Sequence, residues 1–250
     1  MEYQGQNLKN PFFDEMANYP RRFVLPILFA DPSGKTNSGS GFLLRLRDRV
    51  FGLTCSHVIE KYRSRVAESP IKFQFGGAVL DPRQCLVSES AKLDVAVLDL
   101  TASTGAGDGN PESACLTPAA WPPAELAADD VLAFAGFPGT GRERFEDDYY
   151  RFQSFSAGAT SVETLNHTYL YTKVALSESL VAGGKPEVAD NLAGISGGPV
   201  FAWRKGAVVT AELIGMAVRY VEEYDLLYVR RLNCLGPDGT LDLDHELYPV

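Results

Sequence analysis

Short apolar runs recur along this chain at intervals of about ten residues, each closed by Gly, Pro, Asn, Asp or Ser. Between residues 21 and 100 they are "RRFVLPILFA", "GSGFLLRLRD", "RVFGLTC", "IKFQF" and "LDVAVLDL". Runs this short do not build helices with a long apolar stripe, and only "HVIEKYRSRV" hints at a helical turn or two. The 23 Gly and 15 Pro among 250 residues supply the turns that such an arrangement needs. The pattern favours an all-β barrel or sandwich over alternating βαβ units.

A change of texture divides the chain. "TASTGAGDGNPESACLTPAAWPP", residues 101–123, is rich in Gly, Pro, Ser and Thr and has no periodicity, so it reads as a linker. Beyond it "DDVLAFAGFP", "HTYLYTKVAL", "GPVFAW", "GAVVTAELIGMAV" and "DLLYVRRL" imply a second β unit. The expected organisation is an arm over 1–20, a first barrel over 21–105, a linker over 106–128, a second barrel over 129–235 and a tail over 236–250. The charge run "ERFEDDYYR", residues 143–151, reads as a solvated loop.

A formal net charge of -9 opposes binding to nucleic acid or to anionic lipid, and neither partner is expected. The first residues have no basic flank leading into an apolar core, and "FVLPILFA" is far too short to cross a bilayer. A cytoplasmic location is the expectation. Cys55, Cys85, Cys115 and Cys234 form no C-x-x-C pair and read as free thiols, and no metal or cofactor is expected.

The stretch "NLAGISGGPVF", residues 191–201, fits two unrelated descriptions of a nucleophilic serine. Gly194-Ile195-Ser196-Gly197-Gly198 matches the G-x-S-x-G elbow of α/β-hydrolases and also the S-G-G-P turn of another hydrolase class. The elbow needs a strand entering the serine and a helix leaving it. Here the approach is "KPEVADNLA", and the exit meets Pro199 and then strand-forming residues. The rival arrangement needs a histidine and an aspartate upstream. His57 follows a β run in "GLTCSHVIE", and Asp94 opens the apolar run "LDVAVLDL", where a carboxylate has no packing reason to stand.

Together "TCSHV", "LDVAVLDL" and "GISGGPVF" resemble the histidine, aspartate and serine motifs of the trypsin-like serine proteases, over about residues 21–235. "FAGFPG", residues 134–139, resembles the segment that opens the second barrel in intracellular and bacterial members. The resemblance implies two six-stranded antiparallel β-barrels of the chymotrypsin type, with the active site in the cleft between them. It implies peptide hydrolysis through an acyl-enzyme: Ser196 as nucleophile, His57 as base, Asp94 orienting the base, and the N–H groups of Gly194 and Ser196 as the oxyanion hole. Two alternatives stay open, a catalytically silent module that holds a peptide in the same cleft, and an α/β-hydrolase esterase using Ser196 and His245.

The resemblance also places Asp190 at the base of the primary specificity pocket, where an aspartate selects Arg or Lys. The facing wall is expected from Ala217, Val218 and Arg219, where the family often has a serine, an aromatic residue and a glycine. Ile195 stands where zymogen-derived members carry an aspartate that receives the new N-terminus. Activation by such a cleavage is therefore not expected; beside a protein or peptide substrate, the restraints to look for are a protein activator or regulator, a narrow substrate, or the N-terminal arm reshaping the site.

Overall fold

The computed structural model describes residues 11–31, 33–103, 114–126, 130–146, 149–165, 169–174, 180–181 and 191–244. It has the all-β, two-barrel, chymotrypsin-like architecture expected from the sequence. The first sheet holds β1 (Val24–Ala30), β2 (Thr36–Leu46), β3 (Arg49–Thr54), β4 (Lys72–Phe75), β5 (Ala78–Leu80), β6 (Leu86–Ser90), β7 (Val95–Asp99) and the short β8 (Cys115–Leu116). Its order is β5-β4-β1-β2-β3-β7-β6, and β8 lies parallel to β2. β8 falls within the stretch read as a linker.

The second sheet begins with β9 (Val131–Gly136). A separate hairpin follows, β10 (Arg142–Glu146) with β11 (Tyr149–Phe152), and then β12 (Phe155–Leu165), β13 (Tyr169–Lys173), β14 (Leu180–Val181), β15 (Pro199–Arg204), β16 (Thr210–Val221) and β17 (Leu226–Arg231). The ladder β9-β12-β13-β17-β16-β15 returns to β9, so these strands close on themselves and leave β14 attached along β12. Closure removes the free edges that would otherwise invite pairing with other chains.

The hairpin corrects the reading of residues 143–151 as a loop. Its register sets Glu143 opposite Arg151, one pair of opposite charges across the two strands, while Arg144 and Glu146 stand opposite Tyr150 and Tyr149.

The barrels share apolar packing. Phe42, Phe51, Phe73 and Leu53 fill the first core, and Phe201, Leu213 and Met216 of the second barrel belong to the same cluster. β7 is apolar in nearly every position because it lies between β3 and β6 and is buried throughout its first four residues. Burying one such side chain contributes about 1.5–3 kcal/mol, so a shared cluster couples the stability of the two halves.

The chain ends cross over. Helix α1 (Pro11–Asn18) lies before β1 in sequence, yet its Met16 and Ala17 are buried against the second barrel, and Tyr19 packs edge-on to Phe201 and Trp203 at 5.2 and 5.6 Å. The tail makes the opposite crossing. Leu235 is buried in the first core, the Trp121 indole N–H donates to its carbonyl at 2.7 Å, and Ser88 Oγ donates to the Gly239 carbonyl at 2.5 Å. All four cysteines are free, as read from their spacing. Among the described residues no helix is long and apolar enough to cross a membrane.

Candidate active site

β3 ends at Thr54, and helix α2 (Ser56–Val66) starts two residues later, so His57 projects from the first turn of a helix. α2 is longer than the helical hint in the sequence. Val58, Ile59 and Tyr62 supply its buried face, a spacing of one and three residues that fits one side of a helix. This burial fixes the start of the helix against the barrel and leaves His57 exposed.

Asp94 stands immediately before β7 with φ +53°, a left-handed backbone that few non-glycine residues adopt and that Asp tolerates better than most. The carboxylate takes two bonds from one residue. The His57 backbone N–H donates to Oδ1 at 3.0 Å, and His57 Nδ1 lies 2.8 Å from Oδ2. The second bond selects the tautomer protonated at Nδ1, which leaves the lone pair on Nε2.

Ser196 sits in a tight turn directly before β15, and the described residues that leave it enter a strand instead of the helix an elbow needs. Four successive carbonyls of this turn are tied down. Ala193 O accepts from Gly139 N at 2.7 Å, Gly194 O from Ser40 Oγ at 2.8 Å, Ile195 O from Gly198 N at 2.9 Å, and Ser196 O from Ser40 N at 3.0 Å. The carbonyl and N–H of a trans peptide point in opposite directions, so the bonds to Ala193 O and Ile195 O fix the directions of the Gly194 and Ser196 N–H groups. Those two amides have no acceptor among the described residues, whereas Ile195 N and Gly197 N donate to Leu192 O and Ala217 O.

Two glycines make the turn feasible. Gly194 has φ +107° and Gly197 φ +95°, and a Cβ on Gly197 would stand 1.9 Å from Ser40 O. Ile195 between them is fully buried in the second barrel's core. Apolar packing therefore holds the residue before the serine.

His57, Asp94, Gly194 and Ser196 line one cleft of about 560 Å³, together with Ser38, Lys61, Asn191, Val218, Arg219, Tyr220 and Glu222. Of the wall residues read from sequence, Val218 and Arg219 face this cleft, while Ala217 is buried behind it with its main chain bonded to Gly197 and Gly198. A bulge between Ala217 and Arg219 in the pairing with β17 re-aims the wall. The Tyr220 hydroxyl donates to Asp225 Oδ1 at 2.7 Å, and burial followed by this carboxylate pushes the phenol pKa up. Asp190 and His245 lie outside the described residues.

Sequence reasoning did not single out Ser40 or Gly139, which hold the serine turn from distant parts of the chain. The available signal was "GSG" at residues 39–41, since a serine between two glycines marks a close backbone approach.

Among the described residues one group could offer three donor atoms to a metal, Cys55, His57 and Asp94, with those atoms within 4.8 Å of one another. Burial, and then the Asp94 charge, push the Cys55 thiol well above its ordinary pKa. A metal needs the thiolate, so this arrangement disfavours one.

Residues 39–210 match the family model of a trypsin-like peptidase domain. No curated protein sequence matches the chain significantly. Similar solved structures include the serine endoprotease from Yersinia pestis, at 19% identity and TM-score 0.46, covering 84% of this chain and 60% of that one. Catalytically inactive tobacco etch virus protease complexed with substrate is similar at 11% identity and TM-score 0.45, covering 86% and 80%. A thermostable serine protease from an extremophilic microorganism matches at 12% identity and TM-score 0.45, covering 84% and 91%. The chain thus spans 60% of the length of the Yersinia pestis endoprotease.

Proposed function

The chain belongs to the trypsin-like peptidase family, and from that premise we propose that it hydrolyses peptide bonds through an acyl-enzyme on Ser196. The observation that carries the reading is the pair of bonds from His57 to one carboxylate, because it leaves Nε2 as the basic nitrogen in a cleft shared with Ser196. In this scheme His57 Nε2 takes the Ser196 Oγ proton as Oγ bonds to the substrate carbonyl carbon. Asp94 stabilises the imidazolium, and the N–H groups of Gly194 and Ser196 receive the oxyanion. The imidazolium then protonates the leaving amine, and water repeats the sequence to release the acid.

Buried Ile195 supports a site that needs no cleavage-generated N-terminus, since an apolar side chain already anchors the turn. Control by a protein activator or regulator remains part of the proposal. Preference for cleavage after basic residues rests on Asp190, and the described wall adds an exposed Arg219 that would oppose a second cation nearby. Unchanged cleavage after Arg and Lys in Asp190→Ser would remove that preference from the proposal. The four free thiols suit the reducing compartment expected from the sequence.

The deciding experiment is labelling with a fluorophosphonate probe. Wild type and His245→Ala should label, while Ser196→Ala and His57→Ala should not. A silent peptide-holding module would leave wild type unlabelled, and an esterase of the elbow type would need His245.

A further inference from the structure

Ser40 is buried in β2 of the first barrel, yet most of its hydrogen bonds reach the second. Its hydroxyl donates to Gly194 O at 2.8 Å and accepts from Phe137 N at 2.8 Å, and its backbone N–H donates to Ser196 O at 3.0 Å. The Ser40 carbonyl is held in turn by Thr54 Oγ1 at 2.8 Å from β3. One residue thus fastens both sides of the Gly194–Ser196 turn and the strand end that precedes Gly139, whose N–H holds Ala193 O.

We propose that Ser40 is a positioning residue for the oxyanion-binding amides, acting across the barrel interface through its hydroxyl. This inference rests on the reading of Ser196 as nucleophile. The Gly194–Ile195 peptide lies between the two amides that have no acceptor among the described residues, and Ser40 Oγ is the partner of its carbonyl. With that hydroxyl removed, Gly194 O is left without its partner, and at a glycine the peptide plane has little steric resistance to rotation. The Gly194 N–H shares its peptide with Ala193 O, which the Gly139 N–H holds, and Phe137 N loses its acceptor with the same hydroxyl; the freed Gly194 carbonyl and the loosened 137–139 segment together misaim the Gly194 N–H, while His57 and Asp94, which do not bond Ser40, are untouched. Ser40 touches no reacting atom.

The test reads phosphonylation of Ser196 by a fluorophosphonate, in which the Oγ–P bond forms, the P–F bond breaks with loss of fluoride, and the serine proton passes to His57. The negative phosphoryl oxygen of the transition state needs the same amides. In Ser40→Ala the rate at saturating probe should fall by about 10- to 100-fold, somewhat less than complete loss of one such donor produces. The half-saturating probe concentration should stay within about threefold, and the pH at half-maximal rate should not move, since the base is unchanged.

Thr54→Val is the matched control. It also deletes a buried hydroxyl beside Ser40, but one that does not hold Gly194, so it should lower thermal stability while keeping the rate within about threefold of wild type. Ser40→Cys retains a weaker donor at the same place, should give an intermediate rate, and carries the test if Ser40→Ala does not fold. A Ser40→Ala rate within twofold of wild type, or an equal rate loss in Thr54→Val, overturns the proposal while the nucleophile reading stands. An unlabelled wild type overturns both.

Discussion

At Asp94 a single carboxylate fixes both the backbone and the ring of His57, so its chemistry can be separated from its charge. Asp94→Asn should fold, because Asn tolerates a left-handed backbone about as well as Asp does. Its amide no longer enforces the Nδ1-protonated tautomer. Fluorophosphonate labelling should therefore drop by about a thousandfold or more, with the melting temperature shifted by only a few degrees; labelling close to the wild-type rate would remove Asp94 from its role. Asp81 shows a carboxylate used for stability instead. It caps the short helix α3 (Pro82–Cys85) and pairs with Arg83, whose hydrogen bonds hold the Asp81 pKa down at about 2. A depressed carboxyl pKa stabilises the fold above the unfolded-state value near 4, and the contribution is lost as pH falls from there toward 2. Solvent screening limits it to about 1 kcal/mol or less. Asp81→Asn should therefore lower stability at neutral pH and match wild type near pH 2, as read from urea unfolding at both values.

Elements explain which parts of the site were legible in the sequence. His57 and Asp94 stand out because each interrupts a β run at its end, where a polar residue has no packing role, and Ser196 stands out through its glycines. Ser40 did not, because its partners lie some 100 and 150 residues away and no local pattern records a bond across two barrels. The hairpin β10–β11 was missed for a related reason. Glu143 and Arg151 stand opposite each other only once the two strands are set in register, so the isolated run looks solvated. The sequence marks residues 1–20 only as an arm, and α1 within them has a particular partner, with Met16 buried beside Ala133 and Trp203 of the second barrel. Truncating a buried methionine costs about 2–5 kcal/mol, and a chain of this size loses about 2–4 °C per kcal/mol. Met16→Ala should accordingly lower the melting temperature by about 5–15 °C by calorimetry, and a shift below 2 °C would mean that α1 does not hold the second barrel.

Over the whole molecule these crossings amount to a mutual clasp. The segment before the first barrel packs on the second, the segment after the second packs on the first, and Phe201, Leu213 and Met216 sit in a core shared by both. Neither barrel completes its surface from its own strands, so losing one exposes apolar area on the other, and the cost of opening one half alone approaches that of opening both. The two tryptophans report opposite ends of this arrangement. Trp121 donates to Leu235 O against the first core, and Trp203 lies against Tyr19 at the second. In single-tryptophan variants made with Trp203→Phe and Trp121→Phe, urea unfolding followed by fluorescence and by circular dichroism should give one midpoint within each variant. The two variants should also have equal slopes, because the slope follows the surface exposed and that surface belongs to the whole chain. A tryptophan transition that precedes the loss of circular dichroism would mean that its barrel opens alone. The cleft would then be a joint between independent halves, and the Ser40 contact would be made and broken with it.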